Sequence, residues 1–99
     1  DSIHPGVKAL EIHKIAVSKF SELDYSCTHN TGHGMGLQTW ERPFISLHDQ
    51  TILQPNMFIA IEQTIEKPLE YGIRFEDNIF VTDNSYQNCI EFPMELIEI

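Results

Sequence analysis

The sequence predicts an α+β domain, one amphipathic helix followed by several mostly antiparallel strands. Two observations carry this expectation. Apolar residues recur at three- and four-residue steps between Val7 and Leu23, the period of a helix with one buried stripe. Beyond residue 57 apolar and polar residues alternate instead, in segments joined by short turn signals, which is the pattern of paired strands.

Pro5-Gly6 opens the helix, expected over residues 7–23. Ala9, Ile12, Ala16, Phe20 and Leu23 form its stripe, and Glu11, Lys14, Ser18 and Glu22 fall opposite. His13 lies beside the stripe and reads as a packed or half-exposed helix histidine. Residues 25–28 look like a short strand leading into a glycine-rich turn, and residues 38–41 like an extended piece ending near Pro43. Residues 44–57 read as a connection, with Asp49 and Pro55-Asn56 as turn signals. Strands are expected over residues 58–65, 72–82 and 87–92, with a turn at Asp83-Asn84. No internal repeat or domain boundary interrupts the chain.

Ninety-nine residues, 41% hydrophobic and 21% charged, suit one domain with a modest core. A net charge of −9 argues against nucleic acid, whose phosphates need a basic surface. No apolar run approaches the roughly 18–20 residues that span a membrane, and no signal peptide is visible. Cys27 and Cys89 lack the CxxC spacing and read as buried free thiols of a cytoplasmic protein. The chain begins at Asp1 rather than Met, so a fragment or a processed product is expected.

The chemistry concentrates in Thr31-Gly32-His33-Gly34-Met35-Gly36-Leu37. Glycine lacks Cβ, so other groups can come close to the histidine it frames. Strand alternation places Phe58, Ala60, Glu62 and Thr64 on one face and Ile59, Ile61 and Ile65 on the other. It likewise groups Arg74, Glu76, Asn78 and Phe80 against Ile73, Phe75, Ile79 and Val81. If the two strands pair, Glu62 and Glu76 meet on one side of the sheet. Two adjacent carboxylates repel, and a divalent cation removes the conflict. Alternation alone favours the plainer reading, two exposed glutamates on a solvated face. Asp77 interrupts the apolar face and must be hydrogen-bonded or lie at a sheet edge. One imidazole with two carboxylates, His33, Glu62 and Glu76, suits Mn, Co, Fe or Zn rather than a thiolate-selective site. The chain has no GxGxxG, no HExxH and no Gly-Xaa-Ser-Xaa-Gly elbow, and neither cysteine has an activating context.

Four segments together resemble the C-terminal part of the pita-bread metallopeptidases, the family of aminopeptidase P, prolidase, methionine aminopeptidase and creatinase. Ile3-His4-Pro5-Gly6-Val7 is similar to the family's entry to a helix, and Thr31 to Leu37 matches its T-G-H-G-x-G-L motif. Pro55-Asn56-Met57-Phe58-Ile59-Ala60-Ile61-Glu62 and Gly72-Ile73-Arg74-Phe75-Glu76-Asp77, followed by Val81-Thr82, resemble its two glutamate-bearing strands. The resemblance implies a curved, mostly antiparallel sheet under the N-terminal helix, the C-terminal half of a pita-bread fold. It implies that His33, Glu62 and Glu76 are three of five ligands to two divalent ions, with Glu76 bridging. Glu62 would also move a proton from the attacking water, and His29 would line the substrate site and assist catalysis. Arg74 would support the carboxylates from behind.

The match also has limits. The family's other two ligands are aspartates upstream of the helix, and nothing like their segment precedes Ile3. Residues 1–99 are therefore expected to be the C-terminal fragment of a catalytic domain, inactive by themselves, within a longer hydrolase. Trp40-Glu41-Arg42-Pro43 stands where the family's peptidases have His-Glu-x-Pro. Tryptophan cannot accept a hydrogen bond, though it can shape a substrate pocket. Gln63 likewise stands in place of a proline. The leading expectation is a dinuclear metallohydrolase of the Xaa-Pro aminopeptidase or dipeptidase type. One alternative is a relative acting on a small non-peptide substrate, and another is a non-catalytic binding module. The implied partners are a peptide or small-molecule substrate and, since a half-fold leaves sheet uncovered, a second copy or the missing half.

Overall fold

The computed structural model describes residues 2–93, 95 and 97–99; Asp1, Met94 and Leu96 lie outside the described residues. The helix α1 runs Ala9–Glu22, slightly shorter than the periodicity predicts, because Lys8 instead bridges to Ile52. No side chain caps its start. The free amides of Ala9 and Leu10 donate to the carbonyls of Thr51 and Asp49, at 2.9 and 3.0 Å. Its end is closed by Asp24 in the left-handed region, φ 59°, with the Tyr25 amide donating to Phe20 O.

The stripe is buried only at its N-terminal half. Ala9, Ile12 and His13 are buried, Ala16 and Phe20 half-buried, and Leu23 is 66% exposed. Helical periodicity marks a face but not how far the neighbouring layer extends beneath it.

Five strands follow: β1 Gly32–Gly34, β2 Glu41–Ile45, β3 Phe58–Lys67, β4 Tyr71–Val81 and β5 Tyr86–Asn88. They form one sheet in the order β2-β1-β3-β4-β5, every neighbouring pair antiparallel. The two long strands match the expected ones closely. Three local expectations are corrected. Residues 25–28 join no ladder, since strand propensity supplies no partner. The glycine segment is not a turn but the second strand in from the edge. The extended piece expected over 38–41 starts only at Glu41 and continues through Pro43.

Proline is tolerated there because β2 is an edge strand with a register shift: His33 pairs with Phe44, but Gly34 pairs with Glu41. The glycines of β1 are set by close approach. A Cβ on Gly32 would strike the carbonyl oxygen of Ala60, and one on Gly34 the carbonyl of Arg42. β5 is shorter than expected, ending at Asn88.

The core lies between α1 and one face of the sheet. Ala9, Ile12, Ile45, Leu53, Ile59, Ile79 and Val81 form it, with Ile3, Val7, Met57 and Ile61 packed against it. Past the reach of the helix the same face exposes Ile73 and Phe75. Asp77 is half-buried where β4 runs beyond its pairing with β5, so the sheet-edge alternative holds. Cys27 and Cys89 are free, but half-buried and exposed rather than buried as expected.

Candidate metal centre

The face of the sheet away from the core carries the predicted site residues in consecutive rows. His33 is opposite Ala60, and Ala60 is opposite Asn78. The next row pairs Glu62 with Glu76, and the one after pairs Thr64 with Arg74. The face expected from alternation is therefore the face observed.

His33 is buried, its side chain 6% exposed. Its Nδ1 lies 3.0 Å from Gly34 O, and since a carbonyl only accepts, Nδ1 carries the proton. Nε2, the nitrogen that carries a lone pair when the ring is neutral, is 3.6 Å from Glu62 Oε1. A lone pair facing a carboxylate in a buried site is unfavourable unless a proton or a cation lies between them. A backbone carbonyl accepting from one imidazole nitrogen, with the other left to coordinate, is also how metal-ligating histidines are oriented.

Glu62 is fixed on its other side. Its Oε2 accepts from Arg74 Nη1 at 3.0 Å, and Arg74 Nε donates to Thr64 Oγ1 at 2.9 Å. Glu76 is exposed, and among the described residues no hydrogen bond or ion pair holds its carboxylate. Among the described residues, no three His, Cys, Asp or Glu side chains are arranged to hold one ion. The structure thus brings His33 and Glu62 together and sets Glu76 beside Glu62, without closing the trio. One further donor shares the face: the side-chain oxygen of Asn78 is buried without a hydrogen-bond partner. An imidazole nitrogen, carboxylates and an orphaned amide oxygen form a donor set that fits a divalent first-row ion.

Beside Glu62 opens a cavity of about 300 Å³ lined by Thr28, His29, Asn30, Trp40, Glu62 and Arg74. His29 Nε2 is 3.5 Å from Glu66 Oε1. Trp40 lies against His33: its ring centroid is 5.1 Å from that of His33, and Phe44 packs edge-on behind it at 6.1 Å.

Two supports were not legible as such. Asp49, read as a turn residue, is buried and accepts from the amides of Phe44 and Thr51, both at 2.8 Å, and from Arg42 Nη1 at 3.1 Å. Burial alone would raise its carboxyl. Hydrogen bonds from the Thr51 hydroxyl and those amides, with the Arg42 charge, outweigh it and hold the carboxyl below its usual range. The Asp-Xaa-Thr pattern, a carboxylate reaching the amide two residues on, was the available signal. His13 Nδ1 lies 2.9 Å from Thr31 Oγ1, and burial, with His48 nearby, holds the imidazole below its usual value.

Comparison with known proteins places the chain in context. The family model described as metallopeptidase family M24 matches residues 1–83. An Xaa-Pro dipeptidase of Pyrococcus horikoshii is 37% identical over 99 residues, covering 98% of this chain and 28% of that protein. The crystal structure of a prolidase from Pyrococcus horikoshii superposes with a TM-score of 0.91 at 38% identity, covering 97% of this chain and 28% of the other. Dipeptidase PepE from Mycobacterium ulcerans gives 0.92 at 32% identity, over 98% of this chain and 27% of the other. The chain spans about a quarter of the length of the relatives it matches.

Proposed function

The chain belongs to metallopeptidase family M24, and from that premise we propose that His33, Glu62 and Glu76 are ligands of a dinuclear divalent-metal centre in a hydrolase of Xaa-Pro dipeptides. In this reading residues 1–99 are the C-terminal part of the catalytic domain. Two aspartates from the longer protein complete the ligand set, and the ions are Mn, Co, Fe or Zn. The observation that carries the reading is the His33 ring, held by Gly34 O with Nε2 turned to Glu62 Oε1.

When bound, the metal lowers the pKa of a coordinated water and polarises the scissile carbonyl. The protein's residues do the rest. Arg74 donates to Glu62 Oε2 and so orients the carboxylate, and Glu62 is the residue that would take a proton from the attacking water. His29 and Trp40 line the cavity beside it and orient the substrate, the indole face packing against an apolar ring such as proline. The free thiols suit a reducing compartment, so we place the protein in the cytoplasm. No helix among the described residues is long and apolar enough to cross a membrane.

A second reading keeps the centre and changes the substrate to a small non-peptide molecule. Trp40 favours it, because an indole beside His33 only donates a hydrogen bond and cannot relay a proton to a leaving amine. The test is hydrolysis of Xaa-Pro dipeptides by the full-length protein reconstituted with Mn²⁺ or Co²⁺, with and without chelator. Metal-dependent cleavage supports the dipeptidase reading. A metal-loaded protein inert to every such dipeptide supports the second.

A further inference from the structure

We propose that His13 and Thr31, neither a candidate ligand, are positioning residues that set His33 against Glu62; the inference rests on the metal reading of that pair. Thr31 is 1% exposed and joins three elements. Its amide donates to Ile45 O at 2.8 Å, next to β2's Phe44, and its carbonyl accepts from the Glu62 amide at 2.8 Å. Its hydroxyl meets His13 Nδ1 on α1 at 2.9 Å. Thr31 is therefore bonded directly to the backbone of Glu62 and lies two residues before His33.

The strand that carries His33 is laddered on both sides but short. β1 has three residues, two of them glycines, and its register with β2 shifts immediately after His33. Gly32 rests against the Ala60 carbonyl with no side chain to key the packing. An anchor just before it decides where the imidazole stands relative to the carboxylate. His13 supplies that anchor from a different layer. It is 5% exposed, on the turn of α1 whose N-terminal end is tied to the 49–51 loop. A hydrogen bond in so dry a site is stronger than at the surface, and its loss leaves a buried polar atom without a partner.

The test compares variants that delete the bond, Thr31→Val and His13→Leu, with variants that keep a hydrogen-bonding group there, Thr31→Ser and His13→Asn. Two quantities are read on the protein: the Co²⁺ dissociation constant by titration calorimetry, and hydrogen exchange of the Glu62 amide without metal. The deletions are expected to weaken Co²⁺ binding about 10- to 100-fold, as loss of a group supporting a ligand does, and to speed Glu62 exchange. Thr31→Ser and His13→Asn are expected to restore both. His13→Leu keeps the test independent of how well Thr31→Val folds. Folded deletion variants with wild-type Co²⁺ affinity and wild-type Glu62 exchange overturn the inference and leave the metal reading standing. A wild-type protein that binds no Co²⁺ overturns the metal reading and the inference with it.

Discussion

Glu62 and Glu76 stand directly opposite each other in the β3–β4 ladder. Opposed residues have Cβ atoms about 4.5–5.5 Å apart, and like charges at that spacing are destabilising. Arg74 takes one oxygen of Glu62 and none of Glu76, so the relief is one-sided. An arrangement that costs stability without a ligand and gains it with a divalent cation has a distinctive signature. Glu76→Gln is expected to stabilise the metal-free protein by roughly a few tenths of a kcal/mol in urea unfolding. The same substitution is expected to weaken Co²⁺ binding. Unchanged Co²⁺ affinity in Glu76→Gln would argue that Glu76 is only a solvated surface group.

Gly34 is required by proximity. A Cβ there would meet the carbonyl of Arg42 across the β1–β2 pair, and backbone cannot move aside as a flexible side chain would. Gly34→Ala is expected to cost about 3 kcal/mol, the upper end for overpacking, and to lower Tm accordingly. Gly6→Ala is a contrasting case: it has open space around it but a φ of +91°, so its cost should be the smaller one of backbone strain.

Asp49 holds the edge of the sheet behind Trp40. Asp49→Ala leaves the Phe44 and Thr51 amides without their acceptor and is expected to cost about 3 kcal/mol in urea unfolding. The sign of its pH dependence follows from a carboxyl held low in the folded state. Its contribution is complete above the unfolded value of about 3.9 and is lost as pH falls through the folded one. The acid limb of the stability curve should therefore be shallower in Asp49→Asn than in wild type.

His13 acts on the same side of neutrality but at higher pH. Burial lowers its imidazole, so near its usual value of about 6.5 the unfolded chain binds more protons than the folded one. Stability is then full above that value and falls as pH drops below it. His13→Asn, which keeps a partner for Thr31 but does not titrate, should flatten the loss between roughly pH 7 and 5. An unchanged slope would mean that His13 does not contribute to it.

Most of the fold and the face carrying the candidate ligands could be read in advance because alternation is a local rule. Arg74, Glu76 and Asn78 share a face of their strand by alternation, and the β3–β4 ladder adds Glu62 to it. What could not be read depended on groups far apart in sequence. The glycines beside His33 look like turn residues until Ala60 and Arg42 are seen pressing on them. The bond between His13 and Thr31 links positions 18 residues apart, and nothing in the helical stripe announces it. The exposed Leu23 shows the same limit, since a stripe does not reveal whether anything covers it.

The central claim is that His33 and Glu62 face each other to hold a metal. Its most direct test is metal content, measured by elemental analysis after loading with Mn²⁺ or Co²⁺ and removal of free ion, in the full-length protein and in His33→Ala. The account predicts stoichiometric metal in the wild type and its loss in His33→Ala with the fold retained. Metal retained undiminished in a folded His33→Ala would contradict it.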